Sequence, residues 1–413
     1  MDFAGAGVSR DILFLCHRVP FPPDRGDKIR SFHILKALSA LGRVHLLTFA
    51  DDEADAAHVA GLAPWVSSSK VIVRRRGRAF GAVAALASRR PVSLAMFDDP
   101  AMRRAANGLL GRVRIDTVYA FSGQMAQFVP HDITARFLMD FVDVDSAKFD
   151  GYAATAGLLW RQVNAREGRL LADFEGKVAE RADLSLFVSR AEADVFAHRH
   201  PAVSGRVAAL ENGIDLATFD PDADIIPVSA GDGSLILFTG QMDYAPNVEA
   251  VDGFARDILP AVRGAYPTAR FAIVGRAPVP AVRALATLPG VMVVGEVPDV
   301  RPWLAAADVV VAPLKLARGI QNKVLEAMAM GKAVVASPSA HEGIDAEPGR
   351  HLIVAGPDRQ ADVVRALIAD PVRRATLGRA ARARMVERYG WDRVLAPLAA
   401  MVAGGDARAI AAE

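Results

Sequence analysis

The stretch Ala307-Asp-Val-Val-Val-Ala312-Pro-Leu-Lys-Leu-Ala-Arg318-Gly-Ile-Gln-Asn-Lys323-Val-Leu-Glu326-Ala-Met-Ala-Met330-Gly-Lys-Ala-Val-Val-Ala336-Ser337 decides the fold. Val309–Ala312 reads as a buried strand that runs into a loop carrying Arg318-Gly319. A helix from about Gln321 to Met330 follows, ended by Gly331, and the next strand starts at Ala333. Strand, glycine loop, helix and strand make a β-α-β unit with parallel strands. The helix N-terminus offers unpaired backbone N–H groups and the positive end of a dipole. Gly319 lets a ligand approach the backbone, and Arg318 and Lys323 add full charge, so the turn suits a phosphate or diphosphate. Glu326, one turn in, can accept two hydroxyl protons from a sugar. Taken alone, the same residues also describe an ordinary strand-loop-helix with solvated charges.

The pattern extends in both directions. Val334–Ala336, Leu352–Val354, Val291–Val294, Phe271–Val274 and Leu235–Thr239 read as further strands of one series. An earlier series comprises Ile12–Cys16, Val44–Phe49, Val71–Val73, Thr117–Ala120, Phe137–Met139 and Leu184–Val188. Amphipathic stretches separate them; Ile29, Phe32, Leu35 and Leu38 share one helical face. Pro221–Ser234, rich in Asp, Gly, Pro and Ser, is a loop near the domain boundary. The expected architecture is α/β: two facing, doubly wound, Rossmann-like domains, with ligand at the strand C-termini in the cleft. Trp391, Val394, Leu395, Leu398 and Val402 predict one amphipathic C-terminal helix that must pack on something.

Composition excludes several classes. A chain of 413 residues suits two domains of roughly 100–200 residues each. Its 49 basic and 47 acidic residues nearly balance, against a general nucleic-acid binder. The one cysteine, Cys16, rules out a disulfide framework or a cysteine-built zinc site and reads as core packing. No phosphate loop exists, since Gly331-Lys332 is followed by Ala333. Gly5-Ala6-Gly7 precedes the first strand, so it is no dinucleotide fingerprint. His198 and His200 lack metal-ligand spacing, and no G-x-S-x-G elbow occurs. Neither a secretory leader nor a run long enough to span a bilayer is visible, so cytoplasmic residence is expected.

An ordered set of motifs resembles the retaining glycosyltransferase family four, which has the GT-B fold. Val188-Ser189-Arg190-Ala191-Glu192 is similar to its V-S-x-x-E segment. Asn212-Gly213-Ile214-Asp215 with Phe219 and Pro221 resembles its N-G-[IV]-D…F-x-P motif. Phe238-Thr239-Gly240-Gln241-Met242, Ile273-Val274-Gly275 and Gly295-Glu296-Val297 resemble its donor-domain loops, and the opening stretch its donor motif. The match spans about residues 12 to 400. Arg18-Val19-Pro20-Phe21-Pro22-Pro23-Asp24-Arg25-Gly26-Asp27-Lys28 and Met242-Asp243-Tyr244-Ala245-Pro246-Asn247-Val248 resemble sugar transferases of PEP-CTERM/exosortase exopolysaccharide systems.

The resemblance implies an acceptor-binding domain over residues 1–212, a donor-binding domain over 213–389, and a helix and tail over 390–413 that return to the first domain. It implies transfer of a sugar from a UDP- or GDP-type donor to a polyprenyl-linked or oligosaccharide acceptor, with neither cofactor nor metal. Glu326 matches the second Glu of the family's Glu-x7-Glu motif and would hold the ribose hydroxyls. Arg318 stands where the first Glu belongs and can accept no hydrogen bond. Gln241, Pro246 and Asn247 stand where many members carry a diphosphate-gripping Arg and Lys. A departing nucleoside diphosphate still needs compensating charge, which Arg318 and Lys323 would supply. Gly26, Gly240, Gly275, Val297, Gly319, Ile320, Gln321 and Asn322 would line the donor site. Asp143, with Asp140 next, would orient or deprotonate the acceptor hydroxyl; either is equally a loop or cap carboxylate. Asp143-Val144-Asp145 spells D-x-D, but in the acceptor half, so no metal is expected there. Arg74, Arg75, Arg76, Arg78, Arg89, Arg90, Arg103 and Arg104, beside Phe80 and small apolar residues, suit an anionic inner leaflet or a solvated face. Rival expectations are a nucleotide-sugar epimerase or hydrolase of the same fold, and a non-catalytic nucleotide-sugar-binding scaffold.

Overall fold

A computed structural model describes residues 10–74, 90–229, 231–317 and 320–405. Arg318, Gly319, Arg75, Arg76, Arg78, Phe80 and Arg89 lie outside the described residues. The chain divides into two compact units, one running to Glu211 and resumed from Leu395, the other spanning Asn212–Val394.

The first unit holds a seven-stranded, all-parallel sheet. Its strands are β1 (Arg10–Cys16), β2 (Gly42–Ala50), β3 (Ser68–Val73), β4 (Thr117–Phe121), β5 (Arg136–Val142), β6 (Leu184–Phe187) and β7 (Val207–Ala209), in the order β3-β2-β1-β4-β5-β6-β7. The apolar runs bury nearly whole because helices cover both faces. The second unit repeats the plan with β8 (Leu235–Thr239), β9 (Arg270–Val274), β10 (Val291–Gly295), β11 (Val309–Ala312), β12 (Val334–Ala336) and β13 (Ile353–Val354), in the order β10-β9-β8-β11-β12-β13. In both sheets the order reverses beside the first strand, and ligands of open α/β sheets bind at such a switch point. Cys16 is a buried free thiol, pushed up to about 12 by burial.

Four helices matter below: α1 (Gly26–Leu41), α2 (Asp145–Thr155), α3 (Leu158–Arg181) and α4 (Asn322–Ala329). Helix α1 buries more than the predicted face. Phe32, Leu35 and Leu38 are buried, but so are Arg30, Ser31 and His33. The edge strand β7 has only three residues, too short for a periodicity to show. The predicted single C-terminal helix is two. Trp391–Val394 and α5 (Leu398–Ala403) are separated by a turn at Pro397, which lacks the N–H that a continuous helix needs. The first piece belongs to the second unit: Ile214 pairs with Gly390, and Gly213 packs against Trp391. Helix α5 belongs to the first unit, where Arg136 Nε donates to the Met401 carbonyl at 2.7 Å.

Candidate functional site

In the second unit three neighbouring strands, β8, β9 and β10, each end at a glycine: Gly240, Gly275 and Gly295. Gly240 N–H donates to the Val274 carbonyl at 3.0 Å, and Gly275 N–H to the Gly295 carbonyl at 2.7 Å. Gly240 (φ 156°) and Gly275 (φ 155°) have conformations that suit glycine. A Cβ on Gly275 would overlap the Gly240 carbonyl oxygen, and one on Gly240 would come within 2.9 Å of Asn247 Nδ2 and 3.2 Å of Lys323 Nζ. The result is a flat backbone floor at the switch point of the sheet.

Lys323 stands over this floor from the first turn of α4. Its ammonium donates to Asn247 Oδ1 at 2.5 Å and lies 4.5 Å from the centre of the Phe238 ring. Asn247 in turn donates through Nδ2 to the Gln241 carbonyl at 2.9 Å. Asn247 therefore orients the ammonium and is more than a neutral replacement. Gln241 Nε2 donates to Asp243 at 2.6 Å, and Arg276 donates to Gln241 Oε1 at 2.8 Å. Arg276 thus brings a second cation to the loop that carries Gln241. Burial lowers the Lys323 amine to about 8, against the pull of Glu326. An anion placed here would reverse that shift.

Glu326 lies one turn further along α4. No hydrogen-bond partner among the described residues reaches its carboxyl, and burial raises it to about 7 despite Lys323. An unpaired carboxyl beside a cation at a helix N-terminus can take a diol and a diphosphate together. Because the folded value exceeds the ordinary 4.5, the carboxylate costs stability above about pH 7, and this cost fades as pH falls toward 4.5. Glu326→Gln is therefore expected to raise the melting temperature of the ligand-free protein at pH 8 and to change it little at pH 5. Melting curves at the two pH values check this; equal changes at both would contradict it.

Other predicted donor residues lie in the same unit. Gln321 is the N-cap of α4 and makes no side-chain cap, leaving that end of the helix open, with Asn322 the first helical residue. Ile320 precedes them and packs partly against the core, as does Val297 after β10.

In the first unit, Gly26 opens α1 with nothing within 4 Å of where a Cβ would stand. Beside it Asp27 meets His17 Nε2 at 3.3 Å, Arg18 at 2.8 Å and Arg25 at 2.7 Å. Against the cost of burial, these partners hold its carboxyl well below the usual carboxylate range. The His17 ring stacks on Phe121 at 5.7 Å, and its Nδ1 is buried without a hydrogen-bond partner.

Asp140 does not occupy the place expected of an acceptor-handling residue. It is fully buried. Its Oδ2 accepts from Arg30 at 2.9 and 3.2 Å and from the Tyr119 hydroxyl at 2.8 Å, while Oδ1 accepts the Val142 amide at 3.0 Å. With both oxygens committed, it is a structural anchor. Val142 has φ 72°, an outlier for a β-branched residue, and the register of β5 on β6 shifts here. Strain of about 1–3 kcal/mol persists only where surroundings impose it. The locked Asp140 does so, and the turn presents Asp143 at the strand end. Asp143 is part-exposed, and Lys148 Nζ contacts it at 2.7 Å and Asp145 at 3.3 Å. The D-x-D carboxylates thus share a cation of the protein's own. Among the described residues, no group of three or more His, Cys, Asp or Glu side chains has metal-binding geometry.

Of the expected basic face, Arg74 pairs with Asp51 at 3.3 Å and lies over the Phe97 ring, while Arg90 and Arg103 both pair with Asp98. These three are paired, although Arg90 and Arg103 share the single Asp98, and Arg104 is exposed. No helix among the described residues is long and apolar enough to cross a membrane. Sequence reasoning missed Arg30, Tyr119, His17, Lys148 and Arg276, and it named Asn247 only as a neutral replacement. Only position after a strand end could have marked His17 and Arg276; the others are revealed by their partners.

Comparison with known proteins agrees with this geometry. Residues 233–370 match the family described as Glycosyl transferases group 1. Phosphatidyl-myo-inositol mannosyltransferase of Mycolicibacterium smegmatis is 29% identical over 262 residues, covering 57% of this chain and 65% of that protein. GDP-mannose-dependent monoacylated alpha-(1-6)-phosphatidylinositol monomannoside mannosyltransferase of Corynebacterium glutamicum is 29% identical over 210 residues, covering 44% and 52%. The chain thus matches less than two thirds of the length of these curated relatives. Among solved structures, sucrose-phosphate synthase from Thermosynechococcus elongatus superposes with a TM-score of 0.68 at 17% identity, over 98% of this chain and 100% of that one. Anabaena HepE in complex with UDP and glucose gives 0.66 at 16% identity, over 95% and 99%. The fold is GT-B, and the match to the family described as Glycosyl transferases group 1 lies within the second unit.

Proposed function

We propose that this chain is a retaining, metal-independent glycosyltransferase that moves a sugar from a UDP- or GDP-type donor to a lipid-linked or oligosaccharide acceptor in exopolysaccharide assembly of the PEP-CTERM kind. The observation that carries the reading is Lys323, held by Asn247 over the Gly240–Gly275 floor with the unpaired Glu326 one turn away. A cation at a helix N-terminus fits the diphosphate, and a free carboxyl fits the ribose diol. The relatives named for phosphatidylinositol mannosylation support a lipid-linked acceptor, and HepE bound to UDP supports a nucleotide donor.

In this mechanism the sugar–phosphate bond breaks as the acceptor hydroxyl attacks the same face. The leaving diphosphate keeps the bonding electrons and helps take the hydroxyl proton. Lys323 balances its growing charge, a role that Arg318 shares. Asp143 orients the acceptor hydroxyl. Peripheral contact with the inner leaflet belongs to the same reading. Arg318 in place of the motif's first Glu favours one rival, a nucleotide-sugar-binding protein without turnover.

The test is thermal unfolding with UDP, GDP, ADP and their sugar conjugates, with and without chelator. A ligand bound only by the folded state at about 100 times its Kd adds about 2.7 kcal/mol, a shift of several degrees. Stabilisation by one nucleotide family is expected, indifferent to chelator and lost in Glu326→Ala. No shift with any nucleotide overturns the donor site; a shift without sugar transfer to any acceptor supports the binding-only rival.

A further inference from the structure

The hairpin of α2 and α3 carries a surface that the donor and acceptor residues leave unused. Its base is built into the first unit. Glu175 accepts from the Ser146 amide at 3.0 Å and hydroxyl at 2.6 Å, and Glu167 accepts from the Val92 and Ser93 amides at 3.0 and 3.2 Å. Gly168 lets the two helices close up, since a Cβ there would come within 2.8 Å of Asp150 Oδ1. Its tip is the reverse. Leu158 is 78% exposed, Trp160 65%, Tyr152 55% and Val163 43%. Of the ten large apolar side chains exposed among the described residues, these four fall within twelve positions. Scattered exposed apolar residues need no explanation, but a cluster marks an interaction surface.

The charge around the tip selects the partner. Arg161 stands exposed in the first turn of α3, and Arg169 stands exposed about two turns further along it. The carboxylate between them, Glu167, is turned inward and held by Val92 and Ser93. Exposed Leu, Trp and Tyr with arginines on the same hairpin have the composition of an interfacial anchor: the apolar residues enter the acyl boundary, Trp sits at headgroup level and arginines meet lipid phosphates. Of the arginines predicted for that role among the described residues, those at 74, 90 and 103 are paired with carboxylates and Arg104 is exposed.

We propose that the tip of the α2–α3 hairpin, with Leu158 and Trp160 as its inserting residues, docks this protein on an anionic lipid bilayer. The purpose assigned to this contact rests on the lipid-linked acceptor of the proposed function; the contact itself does not.

The experiment is co-sedimentation of the full chain with phosphatidylglycerol–phosphatidylcholine vesicles and with pure phosphatidylcholine vesicles. Wild type is expected to bind the anionic vesicles and to be released by salt. The double variant Leu158→Ser/Trp160→Ser is expected to lose about tenfold to a hundredfold in partitioning. Arg161→Glu/Arg169→Glu is expected to lose binding at low salt. Both side chains of the first variant stand in solvent, so its melting temperature should match wild type. Nucleotide-induced stabilisation, measured on the same samples, keeps the two proposals separate: its absence counts against the donor site only. Wild type that ignores anionic vesicles, or a serine variant that binds them as wild type does, overturns the docking proposal. So does a concentration-dependent dimer that the serine variant abolishes, because the tip would then be covered by a second copy.

Discussion

Lys323→Ala is expected to reduce turnover by about 10²–10³-fold, the range seen when one preorganised donor to a developing anion is removed. The residue joins three features: the first turn of α4, the Asn247 hydrogen bond and the position over Gly240. Arg276 remains at the loop but is committed to Gln241. Nucleotide affinity, measured by calorimetry, should fall along with turnover. In wild type it should also fall as pH rises through about 8, where the lowered Lys323 amine loses its proton. An anion favours the ammonium form, so binding near that pH should take up protons. The ligand-free variant should melt no lower than wild type, because burial already makes the ammonium costly. Unchanged turnover, or a loss of folding matching the loss of activity, would contradict this role.

Asp140→Ala is the second large effect, and its readout is stability. The substitution leaves the Arg30 guanidinium buried without its carboxylate and strips a partner from the Tyr119 hydroxyl and the Val142 amide. Removing one member of a buried pair costs about 3–5 kcal/mol. For a unit of this size that is a fall in melting temperature on the order of 10 °C. The double change Arg30→Met/Asp140→Leu removes both charges together and should recover much of the loss, since apolar replacement of a whole pair is often neutral. Single variants within about 1 kcal/mol of wild type, followed by unfolding monitored by circular dichroism, would show that the pair is no anchor. The same loss should release the strained Val142 turn, so Asp143 would be displaced even where the fold survives.

Arg30 and Asp140 also mark the limit of what residue order reveals. They are 110 positions apart, and each alone reads as a solvated or catalytic charge. The three-residue spacing in α1 correctly gave Phe32, Leu35 and Leu38 one buried face, but it carried no sign that the opposite face would bury Arg30. Asp140 followed an apolar run and looked like a carboxylate at a strand end; its neighbours across the sheet made it a partner to Arg30, Tyr119 and Val142. Asn247 is the converse case. By comparison with related motifs it stands for a missing cation, yet in space it orients one.

Local chemistry determined most of the rest. The strands Leu235–Thr239, Val309–Ala312 and Val334–Ala336 stand where their apolar runs placed them, because a strand buried on both faces must be apolar throughout. The glycines at 240 and 275 were marked by the family resemblance, whereas the helix from about residue 321 was legible because helix ends depend on neighbours in the chain. The sequence by itself therefore determined the α/β class, the parallel strands and the helix that begins near residue 321. Only the tertiary structure decided which charges face a ligand and which brace the fold. That distinction depends on desolvation and on partners brought together from distant positions, and neither is a property of any short stretch of chain.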